Sequence, residues 1–204
     1  MIGIINYGSG NIGAIANIYK QLKIPYLISS DLRELARADR FILPGVGSFD
    51  PTMKHLNDSG LLKMLNDQVH GERKPIMGIC VGMQILAEFS EEGEMPGLGW
   101  IKGKVKKIDA SKLHSKPKLP HMGWNSLTKM TDESLFQGID ADFGFYFLHS
   151  YFFDADTPND IIASVNYGVE MPCAVRNKNI VGVQFHPEKS HHNGMMIFRN
   201  FADF

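Results

Sequence analysis

The first half of the chain alternates short apolar runs with longer amphipathic ones, and this alternation limits the fold more than any other feature. Apolar runs of strand length begin at Ile2, Pro25, Arg40 and Pro75. The stretches between them carry apolar residues at helical spacing, which predicts helices. Strands that alternate with helices form parallel sheets whose two faces are covered by helices. The sequence therefore predicts an α/β fold with a central, mostly parallel sheet.

The expected elements follow from these patterns. In the first half, strands are predicted over 2–7, 25–29, 40–43 and 75–80, and helices over 11–22, 51–69 and 82–89. Ser30 or Asp31 is a suitable N-cap for a further helix between the second and third strands. In the second half, a half-exposed antiparallel strand is predicted over 100–108, further strands over 143–153, 161–167, 173–176 and 180–185, and a last helix over 190–201. No repeat or linker divides the chain, so we predict one domain over residues 1–204.

Composition excludes several classes of protein. The net charge is −1 with neutral histidines, which does not favour a nucleic-acid partner or a membrane surface. No apolar run approaches the roughly 18 residues of a membrane span. Two cysteines cannot build a disulfide framework, and no Cys-x-x-Cys pair suggests zinc. We therefore expect a cytoplasmic protein without metal or cofactor, since the first residues read as a strand and not as a signal peptide.

The strongest local motif is Gly78-Ile79-Cys80-Val81-Gly82, which follows a predicted strand and precedes a predicted helix. This context is typical of a nucleophile elbow with cysteine in place of serine. The helix N-terminus favours a thiolate, and the Val81 amide can face a developing oxyanion. The alternative is a buried cysteine in a glycine-flanked turn.

A second motif, Gln184-Phe185-His186-Pro187-Glu188, supplies the partners that a cysteine nucleophile needs. In an extended chain His186 and Glu188 lie on the same face. The histidine can take and return a proton while the glutamate orients the ring. Alternatively the pair lies on the surface. A zinc deaminase site would need a second cysteine after Cys173, which the chain lacks.

Two glycine-rich loops follow predicted strands. Leu43-Pro44-Gly45-Val46-Gly47 can present a second oxyanion amide, from Val46 or Gly47, or it is an ordinary strand-to-helix turn. Gly8-Ser9-Gly10-Asn11-Ile12-Gly13 matches a dinucleotide fingerprint, with Asp31 about 20 residues beyond it. Asp31 serves equally well as a helix cap, so the alternative is a tight turn at the edge of the site or at a partner interface.

All of these motifs lie at strand ends, and the carboxyl edge of a parallel sheet is where ligands collect. Together they resemble the class I (triad-type) glutamine amidotransferases, which have a flavodoxin-like fold. More narrowly, the chain resembles glutaminase subunits of imidazole glycerol phosphate synthase. Beyond the motifs already given, the resemblance extends over nearly the whole chain through Asn6-Tyr7-Gly8, Met83-Gln84, Pro120-His121-Met122-Gly123-Trp124-Asn125, His149-Ser150-Tyr151 and Lys189-Ser190.

The resemblance implies a glutaminase that forms a γ-glutamyl thioester. The implied catalytic triad is Cys80, His186 and Glu188, with oxyanion amides from Val81 and Gly47. The implied glutamine-binding residues are Gln84, Glu92, Ser150 and Tyr151. Without the resemblance, Glu92 is equally well a solvated acid in the run 91–94.

The resemblance also implies a partner that consumes the ammonia. In that family the partner is a (β/α)₈-barrel cyclase, and the two subunits form a heterodimer. We use the term docking face for the residues that would lie against it, which are Asn11, Trp124, Asn125 and Lys189. Three alternatives stay open: ammonia supply to a sugar amidotransferase in surface-polysaccharide biosynthesis, a cysteine peptidase of the same fold, and an interaction subunit with an inert thiol.

Overall fold

An eight-stranded sheet organises the computed structural model, which describes residues 1–113 and 118–204. The strands of this sheet are β1 (Ile2–Ile5), β2 (Tyr26–Ser29), β3 (Arg40–Gly45), β4 (Ile76–Cys80), β8 (Leu127–Met130), β11 (Ile161–Asn166), β12 (Glu170–Asn177) and β13 (Ile180–Val183). Their order in the sheet is β2-β1-β3-β4-β13-β12-β11-β8. Strands from both halves of the chain therefore share one sheet.

The five strands from β2 to β13 are parallel, and the other three are antiparallel. β1, β4 and β13 are buried along their whole length, as strands covered on both faces are. β4 and β13 run side by side in register, with Val183 opposite Ile79. This pairing brings the segment after β13 next to Cys80 at the carboxyl edge of the sheet. The predicted α/β fold with a mostly parallel sheet is confirmed.

Six α-helices occur in the described part of the chain, and they are α1 (Ile12–Leu22), α2 (Leu32–Leu35), α3 (Phe49–Asp58), α4 (Leu62–Asn66), α5 (Val81–Gln84) and α6 (His191–Ala202). Asp31 caps α2 by accepting from the amides of Arg33 and Glu34, at 2.8 and 3.0 Å. The helix predicted over 51–69 is divided between α3 and α4. The division lies at Gly60, whose positive φ of 71° ends the first helix.

The prediction of a helix over 82–89 is wrong beyond Gln84. After α5 the chain turns, and Phe89–Ser90 forms the short strand β5 beside β6 (Gly103–Lys107). The backbone carbonyls of Ile85 and Leu86, which a longer helix would use internally, accept from Leu98 and Trp100 instead. Tertiary hydrogen bonds therefore replaced the expected helical ones.

The antiparallel part differs from the prediction in two places. The strand predicted over 143–153 is two strands, β9 (Phe145–His149) and β10 (Tyr151–Ala155), which pair with β7 (His121–Asn125) and β6 respectively. β7 and β8, and also the short β5 that runs parallel to β6, were not predicted, because strands of two to five residues give little periodic signal. The sequence also predicts a loop over 111–120, and this stretch lies partly outside the described residues.

The helices bury the sheet. α1 packs against α6, where the rings of Tyr19 and Phe198 meet edge to face at a centroid distance of 5.2 Å. On another side α3 packs against α5.

In the described ranges, no helix combines the length and the apolar character that crossing a membrane requires.

Candidate active site

Cys80 lies at the end of β4, in a backbone conformation that few non-glycine residues adopt. Its φ is +56° and its ψ is −113°, and α5 begins at the next residue. The glycine at position 82 permits this sharp turn, because a Cβ there would lie 2.0 Å from the Leu43 carbonyl oxygen of the neighbouring strand. A glycine is needed at position 78 as well, since a Cβ there would lie 2.4 Å from the Gly82 oxygen. The local geometry is that of the predicted nucleophile elbow.

His186 and Glu188 follow β13 and lie beside the elbow. The Nδ1 atom of His186 is 2.9 Å from Oε1 of Glu188, and both side chains are almost completely buried, with 5% and 2% of their surfaces exposed. Cys80 lies close enough to His186 to raise the pKa of its ring. The second carboxylate oxygen of Glu188 is buried without a partner among the described atoms. The three residues are thus aligned as thiol, imidazole and carboxylate.

The charge state of His186 is set by opposing effects. Burial on its own would lower the pKa of the ring, but the hydrogen bonds and charges of Cys80 and Glu188 outweigh burial and raise the pKa to about 10. The imidazole therefore carries a proton at neutral pH. A protonated imidazole beside the nucleophile can give its proton to a leaving group.

The thiol opens into a cleft with a volume of about 510 Å³. The residues around it come from the ends of several strands and their following loops, as expected at the carboxyl edge of a parallel sheet. The cleft is lined by Val46, Gly47, Cys80, Val81, Gln84, Glu92, Pro120, Leu148, His149, Ser150, Tyr151, His186 and Lys189. The structure therefore brings together the predicted triad cysteine and histidine, the oxyanion residues and all four predicted glutamine-binding residues. Glu188 lies behind His186.

The three predicted oxyanion residues differ in how free their amides are. Val81 is the first residue of α5, so its N–H is one of those that a helix leaves without an internal partner. Gly47 is exposed and has a φ of +92°. The Val46 amide, in contrast, donates to Oγ of Ser9 at 3.0 Å. Val46 cannot serve an oxyanion until this hydrogen bond breaks.

The loop with the dinucleotide-like pattern supports the loop over 43–47, which follows β3. Gly10 has a φ of +97°, and a Cβ on it would lie 2.4 Å from the Pro44 side chain. The hydroxyl of Tyr7 donates to the carbonyl oxygen of Pro44. Ser9 accepts from the Val46 amide, as described above. These contacts agree with the alternative of a tight turn at the edge of the site, and Asp31 serves as the cap of α2.

Two of the glutamine-binding candidates are themselves held by the protein. Nε2 of Gln84 donates to the Tyr151 carbonyl at 3.1 Å and to Oε1 of Gln184 at 2.9 Å. Both hydrogens of the Gln84 amide are used in this way, which leaves its oxygen for a ligand. Oε2 of Glu92 accepts from the Phe49 amide at 2.9 Å. Burial raises the pKa of Glu92, and the Phe49 hydrogen bond opposes that effect.

The residues of the docking face lie outside the triad. Asn11 is exposed at the start of α1 and makes no side-chain capping bond. Trp124 is 47% exposed on β7 and stacks on His191, with a centroid distance of 5.2 Å and an interplanar angle of 5°. Asn125 follows on the same strand and is half-buried. Lys189 borders the cleft, and its ammonium lies 5.4 Å from the Tyr146 ring centre.

Sequence reasoning missed two polar residues beside the nucleophile. Gln184 is completely buried, and its Nε2 lies 3.7 Å from Sγ of Cys80. Its position two residues before His186 places both side chains on one face of an extended segment, which was the available signal. His149 was seen only as part of a motif, although it lines the cleft. Within residues 1–113 and 118–204, no three His, Cys, Asp or Glu side chains are grouped as a metal site would require.

Comparison with known proteins gives a consistent result. A family model described as glutamine amidotransferase class-I matches residues 4–204. The chain is 49% identical over 203 residues to imidazole glycerol phosphate synthase subunit HisH of Bdellovibrio bacteriovorus, with 100% of both chains covered. It is 48% identical to the protein of the same name from Leptospira interrogans, with 99% of each covered. A crystal structure described as a glutamine amidotransferase has a TM-score of 0.75 at 18% identity, covers 100% of this chain and 99% of its own, and supports the fold alone.

Proposed function

The chain belongs to the class I glutamine amidotransferase family, and on that premise we propose that it is the glutaminase subunit of an imidazole glycerol phosphate synthase in histidine biosynthesis. Residues 1–204 form one glutaminase domain in this proposal. The observation that carries it is the alignment of Cys80, His186 and Glu188 beside a cleft large enough for an amino acid. A cytoplasmic location is part of the proposal, since reducing conditions keep the nucleophile a thiol.

The proposed chemistry starts with the thiolate of Cys80. It attacks the side-chain carboxamide carbon of L-glutamine, and the carbonyl oxygen becomes an oxyanion. His186 gives its proton to the amide nitrogen, the C–N bond breaks and ammonia leaves. A γ-glutamyl thioester remains on the sulfur. A water molecule then loses a proton to His186 as its oxygen attacks the thioester carbon, and glutamate is released when the C–S bond breaks. Glu188 keeps the imidazole in the required orientation.

The oxyanion is proposed to bind backbone amides from two loops. Val81 offers its N–H from the start of α5, and Gly47 offers a second one from the loop after β3. Val46 becomes a donor only if its 3.0 Å bond to Ser9 breaks. While that bond holds, the loop after β3 offers the oxyanion the Gly47 amide but not the Val46 amide. We therefore expect low activity for the isolated chain, and higher activity when a partner shifts this loop.

The substrate is proposed to lie along the cleft. Glu92 pairs with the α-ammonium of glutamine, because a carboxylate is its natural counter-ion. The oxygen of Gln84, which is the atom that the protein leaves free, accepts an N–H of the substrate. Backbone groups of Ser150 and Tyr151 complete the binding site from the opposite wall.

Ammonia is proposed to pass to a (β/α)₈-barrel cyclase bound at the docking face. Ammonia in water is largely protonated, and the ammonium ion is not a nucleophile, so a protected route is required. Of the docking-face residues Lys189 lines the cleft, whereas Asn11, Trp124 and Asn125 do not. The cyclase then uses the ammonia to form imidazole glycerol phosphate and an aminoimidazole carboxamide ribotide.

A pair of cysteine substitutions tests the nucleophile. Cys80→Ser should abolish glutamate release and covalent labelling by a glutamine-analogue electrophile. Cys173→Ser is the matched control, because Cys173 is completely buried away from the cleft and should leave both readouts unchanged. Glutamate release by Cys80→Ser at the wild-type rate would refute the assignment. Labelling of the wild-type chain at Cys173 instead of Cys80 would also refute it.

The partner is tested by adding purified candidates to the chain. Histidine-pathway cyclase should increase glutaminase turnover, and a sugar amidotransferase should not. Stimulation by the sugar amidotransferase alone would replace the proposed pathway without affecting the glutaminase chemistry. Hydrolysis of peptide amides in preference to glutamine would instead support the cysteine peptidase.

A further inference from the structure

Two buried histidines lie between the docking face and the glutamine cleft. His121 on β7 and His149 on β9 are directly opposite each other in the antiparallel pair. Only 2% and 6% of their surfaces are exposed. Nδ1 of His121 lies 2.9 Å from Nε2 of His149. The proposed thioester chemistry uses neither ring, so their contact needs a separate explanation.

The hydrogen-bond direction at one end is fixed by Asn125. The Ser126 amide donates to Oδ1 of Asn125, and Nδ2 of Asn125 donates to the Asn166 carbonyl at 2.8 Å. These two backbone groups settle which amide atom is nitrogen. The same Nδ2 lies 3.2 Å from Nε2 of His121. Nε2 of His121 must therefore accept, and its proton must be on Nδ1.

The direction at the other end is fixed by Tyr151. Nδ1 of His149 lies 2.8 Å from the Tyr151 carbonyl oxygen, which can only accept. His149 therefore carries a proton on Nδ1. If the ring is neutral, its Nε2 is an acceptor, which is what the Nδ1–H of His121 requires. The two ends give the same direction independently.

The contact between the rings excludes a second proton. Protonation of His149 on Nε2 would place two hydrogens on the 2.9 Å line between the rings. Protonation of His121 on Nε2 would oppose the Asn125 amide hydrogen. The electrostatics agree. Burial lowers the pKa of His121 to about 4. Burial, and then the repulsion that a protonated His121 would exert, lower the pKa of His149 to about 3.

The chain of hydrogen bonds continues to the nucleophile. The Tyr151 carbonyl also accepts from Gln84, whose second hydrogen goes to Oε1 of Gln184. The Gln184 amide is thereby oriented with its nitrogen toward Sγ of Cys80, at 3.7 Å. Asn125 and Cys80 are thus joined through four side chains and one backbone carbonyl. The carbonyl is that of Tyr151, and it accepts from both directions.

We propose that His121 and His149 are positioning residues that act as a neutral, one-directional relay between the docking face and the glutamine cleft. The relay holds the Tyr151 carbonyl, and with it the Ser150–Tyr151 wall and the Gln84 amide, in the geometry that binds glutamine. A partner that contacts Asn125 would alter the start of the relay. The link to glutamine and to the cyclase rests on the proposed function.

The tautomers can be observed without any activity. The chain is labelled with ¹⁵N-histidine, and long-range ¹H–¹⁵N spectra are recorded at pH 7.5. They should show that the rings of His121 and His149 are both neutral with the proton on Nδ1. This is the rarer tautomer of free histidine. Single substitutions of His121 and His149 assign the signals. An Nε2–H tautomer or a cationic ring at either position would overturn the relay.

Two variants of His121 separate the relay from simple packing. His121→Phe keeps a ring between Phe147 and Tyr167, whose centroids lie 4.6 and 4.2 Å away, but removes the donor. His121→Asn keeps an N–H near the Nδ1 position and loses the ring. With the cyclase bound, His121→Phe should raise KM for glutamine about tenfold and change kcat less than about threefold. His121→Asn should keep KM within about threefold of the wild-type value.

The control is His70→Phe, because His70 is exposed, contacts Trp100 edge to face and does not line the cleft. It should leave KM and kcat unchanged. The proposal would be overturned if His121→Phe and His121→Asn changed KM for glutamine equally, or if His121→Phe left KM unchanged. If the variants do not fold, the wild-type spectra still decide.

Addition of unlabelled cyclase to the labelled chain tests the connection to the docking face. The Nε2 signal of His121 should shift, since Asn125 is its donor. Unchanged ring signals in a fully bound complex would remove the proposed link. If wild-type chain with cyclase releases no glutamate, the proposed function fails, while the tautomer result still stands or falls by itself.

Discussion

The pH dependence of folding stability, compared between the wild type and His121→Phe, measures how strongly the fold opposes protonation of His121. In the folded chain burial lowers the pKa of His121 to about 4, whereas its ordinary value is 6.5. Between these values the unfolded chain binds a proton that the folded chain does not bind. Protons therefore favour unfolding, and stability rises with pH in this range. The contribution is complete above about pH 6.5 and is lost as the pH falls toward about 4.

The magnitude follows from the two pKa values. They differ by about 2.5, and each factor of ten in proton affinity is worth about 1.4 kcal/mol. The full contribution of His121 is therefore on the order of 3 kcal/mol, of which about 2 kcal/mol is lost by pH 5. Phenylalanine has no proton to bind, so His121→Phe removes this part of the pH dependence. Carboxylates elsewhere affect both proteins equally and cancel in the difference.

Guanidinium unfolding at pH 7.5, 6 and 5 supplies the measurement. At pH 7.5 we expect the variant to be the less stable protein, because Nε2 of His149 loses its donor. By pH 5 the difference in unfolding free energy should have moved in favour of the variant by about 2 kcal/mol. A difference that stays constant with pH would show that His121 titrates normally in the folded chain, and it would refute the electrostatic reasoning.

Three further predictions concern the site itself. Glu188→Gln keeps an acceptor for the imidazole but removes its charge, and it should lower kcat about 10³-fold, or about 4 kcal/mol in activation free energy; an unchanged kcat in steady-state assays would contradict the triad. Gly82→Ala places a Cβ 2.0 Å from a backbone oxygen and should cost at least about 3 kcal/mol in denaturant unfolding, whereas Gly13→Ala, with open space around it, should not. Glu92→Gln keeps an acceptor for the Phe49 amide and loses the counter-ion for the substrate ammonium, so KM for glutamine should rise about tenfold; a normal KM would remove Glu92 from the substrate site.

The first half of the fold was predictable because it repeats one simple pattern. Buried parallel strands are apolar throughout, and their helices carry one apolar face, so β1, α1 and β4 could be located from the sequence. α5 was predicted too long, since hydrogen bonds from Leu98 and Trp100 replace helical ones after Gln84. Those bonds join residues more than ten positions apart, which local periodicity cannot detect.

The sequence by itself determined the chemical groups of this protein. A cysteine between two glycines at a strand end and a His-x-Glu pair after another strand already specify a thiol, an imidazole and a carboxylate. Only the tertiary structure decided which of these groups are available. In the folded chain the Val46 amide donates to Ser9, and both hydrogens of the Gln84 amide are used in hydrogen bonds within the protein. Two histidines that are 28 positions apart are also in contact. Residue type sets what an atom can donate or accept, but the partner that takes that capacity is chosen by strand register and packing, which bring distant residues together.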